Sequence, residues 1–348
     1  MRNHVLAAIV GISGLFGCVL SVNAADIVRI GVVNSASDVV AFLAQERGYL
    51  SDEGLEANFI TFNSSGAMIA PLGVGDLDVG GGAGTVGLYN AVERGISVRL
   101  VADKAHSAPG FPYEAFLVRK DLVDSGQFKN FSDLKGRKVV MLGVGISDEA
   151  VLNEALKIGG LTLTDVERVY MAMPQQLPAF LNKAIDASII PEPVSSEIVK
   201  AGAAVKFSSS DVIYPNHQLA GVTFGAKIIG EKRDVGVRYM KAYIRAARFY
   251  NDGVRNGKIE GANADEIVRV LQKYTEVKDG ATLRAMSAFA MDVNGRLKID
   301  SLEKDWSYFV EQGWIKKEVP VSKIIDTDFV EKALLSLEGK NTIGAKEK

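Results

Sequence analysis

The chain has 348 residues, 47% of them hydrophobic and 24% charged, with a formal net charge of −2. That length supports one large or two moderate domains with their own core, so no disulfide or metal staple is needed. The near-neutral balance, with Lys and Arg scattered, excludes the basic surface of a nucleic-acid-binding protein, and the single cysteine, Cys18, excludes a disulfide framework.

Residues 1–24 read as a secretory leader. Arg2 gives a positive start, Val5 to Leu20 is an uncharged apolar run, and Val22-Asn23-Ala24 ends in a small-residue cleavage site. Two alternatives stand beside cleavage. The run could be retained as an anchor, although it is shorter than the roughly 20 residues a bilayer requires. Lipidation at Cys18 is the other, because Leu15-Phe16-Gly17-Cys18 loosely resembles a lipoprotein box. Cleavage after Ala24 leaves a mature chain with no cysteine, hence no thiolate nucleophile and no cysteine-ligated metal. The expected location is the periplasm.

A strand is predicted over 27–33, followed by the loop Asn34-Ser35-Ala36-Ser37 and a helix that stops at Gly48. A second strand spans 55–62, and Asn63-Ser64-Ser65-Gly66 turns into a helix from Ala67. Asp78-Val79-Gly80 is a short strand. Gly81-Gly82-Ala83-Gly84-Thr85 leads into a helix over 86–94, and a strand follows over 98–102. This βαβαβαβ order predicts a mostly parallel sheet covered by helices. Residues 105–113 read as a loop and 114–119 as an extended segment. A second α/β series then runs through strands at 138–142, 166–171 and 187–190, with helices over 149–158 and 178–183. Another extended segment covers 219–224. Beyond it the pattern is helical, with an amphipathic helix over 235–254 and shorter ones over 264–274, 301–312 and 327–337. Arg238, Lys241, Arg245, Arg248 and Arg255 read as the solvated face of the long helix. The Lys-rich tail from Gly339 reads as disordered.

Ligands of open α/β sheets bind beyond the carboxyl ends of the strands. That rule selects Asn34, Ser35, Ser64, Ser65, Gly84 and Thr85 in the first series, and Ser147 and Glu192 in the second. Small hydroxylated turns before helix N-termini suit a compact polar head such as a carboxylate or sulfonate. Each Ser or Thr could equally be a plain N-cap. Asp148 and Glu192 would repel an anion, so either they cap helices or the ligand carries a donor such as an amine or amide. Tyr113, Phe111 and Tyr214 lie where they could line a cleft or fill the core. The run Gly82-Ala83-Gly84-Thr85-Val86-Gly87, with Asp103 downstream, matches a dinucleotide fingerprint, but it is preceded by Asp76-Leu77-Asp78 rather than a buried strand. His106 and His217, far apart in sequence, read as loop or surface residues. No hydrolase, zinc-protease or phosphate-loop motif occurs.

Several segments resemble the nitrate/sulfonate/taurine binding-protein family, which also includes binders of thiamine pyrimidine precursors. They are Ile30-Gly31, Ala41 through Gly48-Tyr49-Leu50, Glu53-Gly54-Leu55, Gly75-Asp76-Leu77-Asp78-Val79 and Asn90-Ala91-(x3)-Gly95. In the second half, Asp133-Leu134-Lys135-Gly136-Arg137-Lys138-Val139, Lys183-Ala184-Ile185-Asp186-Ala187 and Glu192-Pro193 are similar, with Lys183 where the family usually has Gly. Asp326 and Phe329 to Ala333 extend the likeness, which covers nearly all of 27–337.

The resemblance implies an α/β, two-lobed periplasmic-binding-protein fold of type II, each lobe a mainly parallel sheet flanked by helices. Two crossovers are expected at Glu114–Arg119 and Leu219–Phe224. Lobe 1 would comprise 25–113 and 225–338, lobe 2 would comprise 114–224, and 339–348 would be the tail. It implies a monomer without cofactor or metal that hands a small organic ligand to an ABC permease driven by a cytoplasmic ATPase. The membrane is touched only through that permease, and no nucleic acid is involved. Sulfonates, carboxylates, aromatics and pyrimidine-like molecules are the expected ligand classes. Alternatives are a lyase or synthase on the same fold and a ligand sensor for a membrane receptor.

Overall fold

The computed structural model describes residues 24–344 apart from Ala83. The predicted leader through Asn23, with Cys18, therefore lies outside the described residues, as do residues 345–348. Among the described residues, ten strands form two five-stranded sheets: β1 (Asp26–Val32), β2 (Leu55–Thr61), β3 (Val79–Gly81), β4 (Arg99–Ala105), β5 (Glu114–Arg119), β6 (Lys138–Met141), β7 (Glu167–Tyr170), β8 (Ala187–Pro191), β9 (Ala204–Ser209) and β10 (Ala220–Phe224).

The first sheet has the order β2-β1-β3-β10-β4 and the second β7-β6-β8-β5-β9. The two follow one plan. In each, four strands share a direction and one is antiparallel to both neighbours, β10 between β3 and β4, and β5 between β8 and β9. The mainly parallel two-lobed α/β fold expected from sequence is thus present. The crossovers differ from expectation. Glu114–Arg119 and Ala220–Phe224 are interior strands, and the chain passes between sheets at 106–113 and 210–219. An interior strand is covered on both faces, so it loses polar alternation and resembles an apolar connector. Glu114 through Val118 are all buried, as are Gly221 through Phe224.

A polar network ties the two crossovers together. Ser107 N donates to His217 O (2.8 Å), and His217 N donates to Ser107 Oγ (2.9 Å). Fully buried Asp103 accepts from Gln218 Nε2 (2.7 Å), from Asp292 N (2.8 Å) and from His106 Nδ1 (2.8 Å). His217 Nε2 lies 2.7 Å from Asp305. Both histidines lie in the connecting segments, as expected, but neither is at the surface: each is buried and hydrogen-bonded to a carboxylate. Nothing local marks this, because each carboxylate is supplied by tertiary contact except Asp103 beside His106.

The C-terminal helices complete the first lobe. The long helix Arg233–Asp252 buries Tyr239, Tyr243 and Tyr250. Its basic face is not simply solvated. Arg238 donates to Asp26 (2.6 Å) and to Glu53 O (2.8 Å), Lys241 pairs with Glu53, and Arg245 sits 4.1 Å over the Tyr49 ring. These groups dock the helix on the turn that precedes β2, burying the Lys241 stem while satisfying its charge. Tyr274, from the helix Ala264–Tyr274, stacks 4.3 Å from Phe42. The last helix runs from Asp328 to Gly344, so 339–344 is helical where disorder was expected. Lys183 has φ +58, the left-handed region, which accounts for glycine being usual there.

Candidate ligand site

The carboxyl ends of both sheets face one cleft. From the first lobe come Ser35 and Ser37 after β1, Asn63, Ser64 and Ser65 after β2, Gly82 after β3, and Lys104 from β4. Facing them are Leu142, Ile146, Ser147 and Asp148 after β6, Pro191 at the end of β8, and Tyr113 and Glu114 where the chain enters β5. The cavity between them is about 70 Å³, so as positioned here the lobes enclose a compact space. Gly82 permits this packing, because a Cβ there would lie 2.7 Å from Ser65 Cβ.

Cross-lobe hydrogen bonds hold this arrangement. Val86 N, at the start of a first-lobe helix, donates to Gly145 O (2.9 Å). Ala36 N donates to Glu192 O (2.9 Å), and Lys304 reaches Glu154 (2.9 Å). Ser147 Oγ donates to Leu219 O in the second crossover (2.8 Å). Gly145 has φ +66, and a Cβ there would meet Val86 Cβ at 2.6 Å. Only glycine allows both this backbone conformation and this approach.

Charges on the first-lobe side are matched. Asp38 lies almost fully buried where β1 turns, accepting from Val33 N (3.1 Å) and Ser35 N (3.0 Å). Its other oxygen pairs with Lys104 Nζ at 2.8 Å, and Lys104 also donates to Ser37 Oγ (3.0 Å). The second-lobe side differs. Asp148 Oδ2 accepts from Leu142 N (2.6 Å), but Oδ1 is buried with no hydrogen-bond partner, and Glu114 Oε2 is likewise unpartnered. Burial, with the Asp148 charge adding to it, pushes the Glu114 carboxyl up to about 8. Burial also pushes Asp148 up to about 7, against the lowering pull of Leu142 N–H and with Glu149 raising it further.

Of the residues selected from sequence, Ser35, Ser64, Ser65 and Ser147 line the cavity. The others lie elsewhere. Thr85 is an N-cap, accepting from Leu88 N (3.1 Å). Gly84 packs against the core, with Leu302 3.1 Å from where its Cβ would be. Asn34 takes φ +59 in the turn and is outside the lining. The Glu192 carboxylate is engaged by Ser196 N (3.0 Å), Ser196 Oγ (2.9 Å) and Ser287 N (3.0 Å), so it caps rather than faces the cavity. Tyr113 joins the lining, whereas Tyr214 stacks 4.1 Å from His217 and Phe111 lies outside. Ser37, Asn63, Lys104 and Glu114 escaped sequence reasoning. For two of them the sequence held a signal, a charged side chain in a mostly apolar segment: Lys104 beside Asp103 in β4, and Glu114 opening β5.

The dinucleotide reading finds no support. Val86 N at the helix start is already bonded to Gly145 O, Gly84 faces the core, and Asp103 is held by Gln218 and His106. A larger groove of about 610 Å³ lies along the face of β5 that carries Ala115 and Leu117; Lys200, Lys206 and Lys258 line it, and so does Glu192 in the turn after β8. Among the described residues, no group of three His, Cys, Asp or Glu is placed to hold a metal ion, and no helix is long and apolar enough to cross a membrane.

Known proteins share this architecture. The model of a family described as NMT1/THI5 like matches residues 37–250. A Brucella abortus protein described as a candidate binding protein is 24% identical over 280 residues, 74% of this chain and 76% of that protein. The periplasmic nitrate-binding protein NrtA from Synechocystis PCC 6803 superposes with TM-score 0.75 at 13% identity, covering 90% of this chain and 89% of that one. The alkanesulfonate-binding protein SsuA from Xanthomonas axonopodis pv. citri, bound to MOPS, gives 0.66 at 18% identity, covering 87% and 99%. The desulfurization enzyme DSZB gives 0.64 at 15% identity, covering 89% and 99%. At these identities the structural likenesses establish the fold.

Proposed function

The chain belongs to the NMT1/THI5-like family, and we propose that it is the solute-binding protein of an ABC importer, taking a small organic ligand in the cleft between its lobes. The observation that carries this reading is the cleft itself. Strand-end turns of both sheets converge on it, and hydrogen bonds from one lobe to the other, such as Val86 N to Gly145 O, close it. Those bonds would break when the lobes part, so a ligand contacting both lobes favours the closed form by its differential contacts. The permease would then distinguish closed from open protein. The leader at 1–24 would deliver the chain to the periplasm, where the mature form acts as a monomer.

The test is a thermal-shift screen of the mature chain, residues 25–348, against small organic solutes, with the ligand recovered and weighed by mass spectrometry. A ligand that binds only the folded state adds about 2.7 kcal/mol at 100 times its dissociation constant, a shift that is readily seen. Stoichiometric binding of an unaltered ligand, with a smaller radius of gyration in X-ray scattering, supports the importer. A chemically altered ligand would instead support an enzyme, the activity for which DSZB provides the structural precedent.

A further inference from the structure

We infer that the ligand of this cleft is an organic cation, an amine or amidine whose N–H groups donate to Glu114 and Asp148. The inference rests on the solute-binding reading above and specifies its ligand class. It follows from the state of every charge around the cavity. Lys104 is paired with Asp38, and it also donates to Ser37. Glu149, next to Asp148, accepts from Arg168 (2.9 Å), Tyr170 (2.7 Å) and Gly145 N (2.6 Å). Glu192 is capped by Ser196 and Ser287. Glu114 and Asp148 remain, at 6% and 2% exposure, lining the cavity, with Oε2 and Oδ1 unpartnered and, among the described residues, no ion pair to either; Lys104 in the same lining is paired with Asp38.

Buried acceptors without donors are rare in folded proteins, and an unpaired carboxylate is the least tolerable of them. An anionic ligand would oppose ionisation of these two carboxyls still further and leave their buried acceptor oxygens without donors, while the lysine that lines the cavity is already paired with Asp38. A cation reverses this. Its N–H donors satisfy Oε2 and Oδ1, and its charge favours ionisation of both carboxyls, giving short charge-assisted hydrogen bonds. The hydroxyls of Ser35, Ser64 and Ser65 remain on the facing wall for the rest of the molecule. The raised carboxyl pKa values agree with this account, since binding would draw protons off the pair.

The experiment uses the mature chain and matched probes: benzamidine against benzoate, butylamine against butane-1-sulfonate, and a wider set of amines and amidines against their carboxylate and sulfonate isosteres. Calorimetry at pH 7 in two buffers of different ionisation enthalpy reads affinity and proton exchange together. The cationic member of a pair is expected to bind at least tenfold tighter, with net proton release. Glu114→Gln and Asp148→Asn are each expected to weaken it at least tenfold while melting no lower than wild type at pH 8. Preferential binding of the anionic members, or cation binding unchanged in both variants, would overturn the inference while leaving the solute-binding reading in place. No binding from either set would overturn both.

Discussion

Replacing Glu114 with Gln should make the ligand-free protein more stable in mild alkali and not in mild acid. Glu114 is 6% exposed, its Oε2 has no donor, and its carboxyl is pushed from 4.5 up to about 8. Between those values the folded state binds more protons than the unfolded state, so stability falls as pH rises, and the loss is complete above about pH 8. One pKa unit corresponds to about 1.4 kcal/mol, which puts the wild-type loss on the order of 5 kcal/mol. An amide of the same shape carries no charge to desolvate, although a buried amide without partners costs about 1–3 kcal/mol. Glu114→Gln should therefore gain ~2–4 kcal/mol over wild type at pH 8.5 and be equal or weaker at pH 4.5. Urea unfolding at the two pH values, read by tryptophan fluorescence and circular dichroism, measures both differences. A variant that is less stable at pH 8.5, or one whose pH dependence equals wild type, would refute the reasoning by showing that Glu114 is ionised and partnered in the free protein.

Three further outcomes follow from the geometry. Asp103→Ala removes the acceptor of His106 Nδ1 and Asp292 N inside the crossover network, and unfolding should show a loss of ~3–5 kcal/mol; a loss under ~1 kcal/mol would contradict the network's role. Lys104→Met leaves nearly fully buried Asp38 without its cation and should cost ~3–5 kcal/mol; urea denaturation of variant and wild type at pH 7 tests this, and a loss under ~1 kcal/mol would contradict it. Gly145→Ala places a Cβ 2.6 Å from Val86 Cβ at a left-handed position, so it should oppose closure, weaken ligand at least ~10-fold and enlarge the radius of gyration of the ligand-bound protein in scattering. Unchanged affinity would show that this contact is not part of closure.

The strand-end rule located Ser35, Ser64, Ser65 and Ser147 without any coordinates, because turns after parallel strands announce themselves by small and hydroxylated residues before a helical pattern. It also selected Thr85 and Glu192, which cap helices instead, and a hydroxyl or carboxylate that caps is chemically identical in sequence to one that faces a ligand. The same ambiguity hid β5 and β10, whose burial on both faces erased the alternation that marks a strand.

Hydrophobic periodicity and turn chemistry are local, so the α/β class, the doubling of the α/β series and the segments at the mouth of the cleft were legible in the order of residues alone. Whether a charge is matched is not local. Asp38 finds Lys104 from another strand, Glu192 finds Ser287 from the C-terminal segment, and Glu114 meets Asp148 with no donor between them. Those pairings depend on β5 and β10 running antiparallel inside their sheets and on the two lobes closing. The class of ligand the cleft favours was therefore decided by tertiary structure, because the free energy of a buried carboxyl depends on which donors the fold brings within hydrogen-bonding distance.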